Sequence, residues 1–329
     1  MHGIRRRDFI TLLGGATAWP LAARAQQPAM PLVGYLSLNS AAAEAPSRVP
    51  GFKLGLSQIG YIEGQNVTIE YRYLDGQYDR LPALAEDLVR RKPAAIQAGG
   101  LPTVRTLKAH TATIPIVFHV GEDPVKEGLV ANFNRPEGNI TGVSSFQNLM
   151  FSKRLQLLNE IVPRPTELAI LVNPNNPNAE PDSQDAQTAA AALGRGLLVL
   201  NASGERGIEE AFAALVQRHV GGLIVGVDGL FLDRRDQMFA LASRHAIPAI
   251  YDRREFPVAG GLMSYGTNDR ENFRQCGIYV GRILKGEKPS DLPVVQSTRF
   301  EFVINLRIAK VLSLTIPPGV LAIADEVIE

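Results

Sequence analysis

The stretch Ala94-Ala95-Ile96-Gln97-Ala98-Gly99-Gly100-Leu101-Pro102-Thr103 decides the fold class. Its first half is a short, largely apolar run of strand length. Its second half opens on two glycines and then sets a proline where a helix tolerates one, in its first turn. A strand that turns directly into a helix is half of a strand–helix–strand unit, and such units fill the chain. Further short apolar runs are Leu32–Leu38, Val67–Tyr73, Ile114–Val120, Leu168–Val172, Leu197–Leu200, Leu223–Val227 and Ile247–Tyr251. They are continuous rather than alternating, which predicts strands covered on both faces. Between them, Leu81, Leu84, Ala85, Leu88 and Val89 follow helical spacing, with Asp79 placed to start the helix, and Ile208, Phe212, Leu215 and Val216 repeat the pattern.

Repeated units of this kind build parallel sheets with helices on both faces. They fall into two runs. The first ends near Gly142–Phe146; the second begins at Leu168 and ends near Tyr251. The expected fold is therefore α/β, with two doubly wound parallel-sheet lobes joined by crossover strands. Gly260–Gly266 is predicted as a strand crossing back, and the helix Asn272–Leu284 then belongs to the first lobe. That places residues 31–144 plus about 263–292 in lobe 1, and 145–262 plus about 293–329 in lobe 2.

Ahead of the lobes, Met1–Ala25 has the order of an export signal: Arg5-Arg6-Arg7, an apolar stretch Phe9–Leu21, then Ala23-Arg24-Ala25. Arg6-Arg7 followed by Asp8-Phe9-Ile10 looks like a twin-arginine signal; an ordinary secretory signal with one extra arginine is the alternative. Cleavage after Ala25 would leave a soluble periplasmic protein. The chain carries a formal charge of +1. Four arginines against Asp8 account for +3 in the signal, so the remainder stands at −2, with no electrostatic footprint for nucleic acid or an anionic membrane. The single cysteine, Cys276, excludes an intrachain disulfide and reads as a small buried hydrophobe.

Open parallel sheets bind ligands at the carboxyl ends of their strands. The residues standing there are Asn39 and Ser40; Gly100, Leu101, Pro102 and Thr103; Glu122 and Asp123; Ser145 and Phe146; Asn173, Asn175 and Asn176; and Asp228. The Gly99–Thr103 turn points backbone N–H groups forward and suits a carboxylate. Phe146, Phe231, Tyr251 and Tyr265 are candidates to stack on a flat ligand. Each group also has a structural reading, as a helix cap, a tight turn or a packed ring. The histidines lack metal-ligand spacing, and no nucleophile elbow, P-loop or catalytic constellation is present. These residues therefore give no cofactor, metal or catalytic set.

Several stretches resemble the periplasmic substrate-binding proteins of ABC transporters: Gly60-Tyr61-Ile62-Glu63-Gly64-Gln65-Asn66-Val67, Gly76-Gln77-Tyr78-Asp79-Arg80-Leu81-Pro82, Ile114–Phe118 leading to Asp123-Pro124-Val125, and Tyr279–Pro289. The resemblance runs over nearly the whole chain after the signal. It implies a type I periplasmic-binding-protein fold whose lobes close on a small solute, possible solutes including aromatic and other amino acids. It implies delivery to an ABC permease and action as a monomer. The segments matching Gly100–Thr103 and Asn173–Asn176 help form the cleft in relatives that bind aromatic amino acids. Relatives that take amino acids carry an acid after a Gly-Thr-Ser run. Here that run is Gly142-Val143-Ser144-Ser145-Phe146, leaving Glu122, Asp123 or Asp228 as candidate partners for an ammonium group. A sensing subunit for a membrane receptor and an exported enzyme using Glu122 or Asp123 are the alternative functions. A bulky residue at Thr103 is expected to weaken solute binding without unfolding the chain.

Overall fold

The computed structural model describes residues 30–162 and 167–329; the predicted export signal lies outside them. The strands are β1 (Leu32–Ser37), β2 (Thr68–Tyr73), β3 (Ala95–Gly99), β4 (Ile116–Val120), β5 (Ile140–Ser144), β6 (Leu168–Val172), β7 (Leu197–Asn201), β8 (Gly222–Val225), β9 (Ala249–Tyr251), β10 (Met263–Thr267), β11 (Val295–Gln296), β12 (Phe300–Asn305) and β13 (Glu326–Ile328). They form two sheets, one in the order β11-β5-β4-β3-β1-β2 and one in the order β13-β12-β10-β9-β8-β6-β7. Every pairing is parallel except β10 with β12. The two-lobed α/β architecture expected from the sequence is the one observed.

The continuous apolar runs become the central strands. Every residue of β3, β4, β5 and β6 is buried, because helices cover both faces of each sheet. The edge strands β2 and β7 are only half-buried. On one face of the first sheet, Leu36, Ile96, Ala98 and Phe118 pack with Leu88 and Leu107 from the helices Leu81–Arg90 and Leu101–His110. On the other, Val33, Tyr35, Ala95 and Val117 pack with Phe52, Phe273 and Cys276. These come from the helices Arg48–Gln58 and Asp269–Leu284, whose backbones touch. A methyl group added at Gly55 would stand 1.9 Å from the Arg274 carbonyl, and one at Gly277 2.1 Å from the Phe52 carbonyl. Only glycine permits that approach. Cys276 is a buried apolar residue, as expected, and burial pushes its thiol pKa up.

Three local expectations are corrected. The strand at Met263–Thr267 does not cross to the first sheet. It pairs with β9 and β12 inside the second, because its apolar residues fill that core. The chain crosses at Asn268, five residues later than predicted, and the helix Asp269–Leu284 then packs on the first sheet. The final return falls after β11, which pairs with β5, so residues 295–296 belong with the first sheet. Finally, Asp79 does not cap the helix Leu81–Arg90. It sits inside a 3-10 turn, Tyr78–Arg80, that runs straight into that helix.

Candidate ligand site between the lobes

The carboxyl ends of both sheets face one another across a small cavity of about 70 Å³, open at its mouth. From the first lobe it is lined by Asn39 after β1, Gly100, Leu101 and Pro102 after β3, and His119, Gly121 and Glu122 at the end of β4. From the second come Asn176, Asn178, Asp228, Arg253 and Gln147.

Gly100 makes the first wall. Its φ of +94° ends β3 and starts the helix Leu101–His110. A side chain there would also strike Leu38, with a Cβ 2.5 Å from Leu38 Cδ1. The positive φ favours glycine, while the Leu38 tip could shift, and the turn delivers the positive end of a ten-residue helix to the cavity. His119 stands beside it. Burial holds its pKa down at about 3, so the imidazole is neutral, and its Nε2 has no partner among the described residues.

The floor is a chain of buried ions. Arg48 Nε donates to Asp269 Oδ2 at 2.7 Å and Arg253 Nη1 to the same oxygen at 3.0 Å. Arg253 also donates to Asp252 through Nε and Nη2, at 2.9 and 2.5 Å. Arg48 Nη1 donates to Glu44 at 3.1 Å, and Glu44 accepts further from Tyr35, Ser37 and Asn39. Burial alone would raise the Asp269 carboxyl pKa, but the two guanidiniums hold it well below the usual range. Asp269 is the first residue after the crossing at Asn268, so the floor of the cavity is fastened to the hinge.

Each lobe sets an acid at the cavity, Glu122 from the first and Asp228 from the second. Burial pushes Glu122 up to about 7, and its Oε1 accepts from Asn178 of the other lobe at 2.5 Å. Asp228 is also raised by burial, against four hydrogen-bond donors that lower it. Tyr78 Oη donates to Asp228 across the cleft at 2.8 Å, and the Ser40 hydroxyl donates to Asp233 of the facing lobe. These three contacts put the lobes in a closed arrangement.

Of the residues predicted for the site, Asn39, Gly100, Leu101, Pro102, Glu122, Asn176 and Asp228 line the cavity. The others are placed elsewhere. Ser40 caps the helix Ala41–Glu44. Thr103 is fully buried and turns its hydroxyl back to the carbonyls of Gly99 and Gly100. Asp123 accepts from the amide of Val125, Ser145 donates to the Val120 carbonyl, and Asn175 is exposed. Asn173 stands behind the cavity, donating to Asp228 at 3.2 Å. None of the predicted stacking rings lines it: Phe146 packs near Phe133, Tyr251 stacks on Phe256, Tyr265 stacks on Phe300, and Phe231 is in the second-lobe core. Arg48, Tyr78, His119, Gln147, Asn178 and Arg253 were not anticipated. His119 and Arg253 follow the strand-end rule and were readable from it. Arg48 had only Glu44, four residues earlier, as a local partner; the one that ties it to the hinge, Asp269, lies 221 residues away.

The sequence matches the family described as ABC transporter substrate binding protein over residues 42–328. The chain belongs to that family. A curated relative, the tyrosine-binding protein of Clostridioides difficile (strain R20291), is 24% identical over 255 residues, covering 78% of this chain and 73% of its own. A conserved domain protein from Vibrio cholerae superposes with a TM-score of 0.81 at 27% identity, over 91% of this chain and 99% of its own. The ABC domain from Streptococcus pneumonia in complex with L-Trp superposes at 0.79 with 22% identity, again over 91% and 99%. This substrate-binding protein thus shares its whole two-lobed fold with them. Among its described residues, no helix is long and apolar enough to cross a membrane, and no three His, Cys, Asp or Glu side chains stand grouped to hold a metal.

Proposed function

We propose that the chain is an exported, periplasmic receptor that closes its two lobes on a small solute and delivers it to an ABC permease without chemical change. The observation carrying this reading is the cavity enclosed between the two lobes. The first lobe presents the start of the helix Leu101–His110 and, at the neighbouring strand end, Glu122; the second lobe faces them with Gln147, Asn176 and Asn178. A solute bearing a carboxylate and a hydrogen-bonding or cationic group meets both features of the first lobe and is covered by the second. Amino-acid-like zwitterions have this form, and the relatives named for tyrosine and solved with L-Trp agree with the class. Closure follows from population shift, because a solute touching both lobes binds the closed form more tightly. The leader at Met1–Ala25 supports export, with Arg6-Arg7 favouring the twin-arginine route.

The test is a thermal-shift screen of residues 26–329 against amino acids, aromatic acids, purines and sugars. A true solute at about 100 times its Kd stabilises by about 2.7 kcal/mol and is recovered unaltered. Turnover of the solute would refute the receptor reading in favour of an enzyme.

A further inference from the structure

Asp228 lines the cavity, yet its carboxylate is already occupied. Oδ1 accepts from the amide of Leu230 at 2.8 Å and from Asn173 at 3.2 Å. Oδ2 accepts from Tyr78 at 2.8 Å and from Asn176 at 2.9 Å. Four donors fill the acceptor sites of a carboxylate. Three of them come from its own lobe and aim it; the fourth, Tyr78, is from the facing lobe. The next residue, Gly229, presses on that lobe directly. A Cβ there would stand 2.6 Å from Asn39 Oδ1 and 3.2 Å from the Leu38 carbonyl. Asn39 cannot swing away, because its Nδ2 donates to buried Glu44 at 2.6 Å.

We propose that Tyr78, Asp228 and Gly229 form a closure latch: they set the population of the closed form through contacts between the lobes, and Asp228 holds protein rather than solute. This rests on the receptor reading for its effect on affinity, but not for its effect on the lobes. A latch of this kind changes the apparent affinity for every solute by one factor, since each pays the same closing equilibrium. A group that touches solute changes the ranking among solutes instead.

The experiment uses Tyr78→Phe, which deletes one hydroxyl, and Gly229→Ala, which adds one methyl. Fluorophores are placed at Glu86→Cys and Glu209→Cys, both exposed and on opposite lobes, with native Cys276 buried. Interlobe distance is measured without solute, and affinities are measured for the solutes found by the screen. Each variant is expected to lower the closed fraction and to weaken all solutes together, about tenfold for Tyr78→Phe. An unchanged distance in both variants overturns the latch, as does a reordered solute ranking in Tyr78→Phe. If no solute binds the parent, the receptor reading fails while the distance still decides on the latch. Should Gly229→Ala not fold, Tyr78→Phe alone decides it.

Discussion

Glu122 gives the sharpest test of the site's electrostatics. Burial moves its pKa from an ordinary 4.5 to about 7 in the folded protein. The unfolded chain loses this proton first as pH rises, so between those values the native state holds one proton more than the unfolded state. Stability linked to Glu122 is therefore fully present below about pH 4.5 and is lost as pH rises through about 7. The shift of about 2.5 units corresponds to about 3 kcal/mol. The comparison is with Glu122→Gln, which keeps an acceptor for Asn178 but does not titrate. Urea unfolding of both proteins at half-unit intervals from pH 4 to 8 isolates the contribution, since every other group cancels in the difference. The parent is expected to lose about 3 kcal/mol relative to Glu122→Gln across that window and to run parallel to it above. A difference that stays flat, or one that grows in the parent's favour as pH rises, would refute the assignment of a buried, proton-holding carboxyl.

Other expectations follow from the same geometry. Gly55→Ala or Gly277→Ala should destabilise the protein by about 3 kcal/mol, read as a lowered urea midpoint, because each methyl meets backbone rather than a yielding side chain. Asp269→Asn leaves two buried guanidiniums short of an anion and should lower stability by about 3 to 5 kcal/mol in the same assay. Its loss also removes the acid-side dependence, since a carboxyl held below the usual range stabilises above its unfolded pKa and fails as pH falls through the folded one. Thr103→Val should leave solute affinity, measured by calorimetry, within about twofold while lowering stability by about 1 kcal/mol, since the lost hydroxyl bonds only its own turn. A bulky residue at this fully buried position would unfold the chain, contrary to the expectation from sequence.

The fold was readable because its signal is local. A buried parallel strand such as Ile116–Val120 must be apolar on both faces, and a helix start such as Gly100–Pro102 must use particular residues. The crossing point was misread because Met263–Thr267, Met-Ser-Tyr-Gly-Thr, is short and mixed in character; nothing within it says which neighbour it will meet. In the cleft, the strand-end rule located Gly100, Glu122 and Asp228, whose positions follow from topology alone. It failed for the rings. Tyr251 and Tyr265 were judged by chemistry, but the pleat of the second sheet turns Tyr251 onto Phe256 and Tyr265 onto Phe300. Arg48 was missed for another reason: Glu44 beside it gives only an ordinary pair four residues apart, and the counterion that makes it part of the floor, Asp269, is joined to it at the hinge.

That joining bears on what the cavity can hold. The floor sets Arg48 and Arg253 against Glu44, Asp252 and Asp269. Both guanidiniums are committed to carboxylates, and a third buried arginine, Arg154, also acts on Asp252, so the charges of the floor are spent on one another. In the receptor reading, a solute carboxylate is then held chiefly by the helix start at Leu101, which contributes about half an elementary charge; the Gly100 amide is spent on the His119 carbonyl and Pro102 has none. This favours a single carboxylate over a phosphate or a dicarboxylate, whose second charge would meet guanidiniums already paired. The neighbouring strand end of the same lobe acts in the same direction. Glu122, half-protonated near neutral pH, accepts from an ammonium group when charged and donates to a neutral acceptor when protonated. The pairing of a fixed helix terminus with a titratable acid therefore suits a monocarboxylate whose other end is either a cation or a neutral hydrogen-bonding group, and the balance between the two shifts with pH.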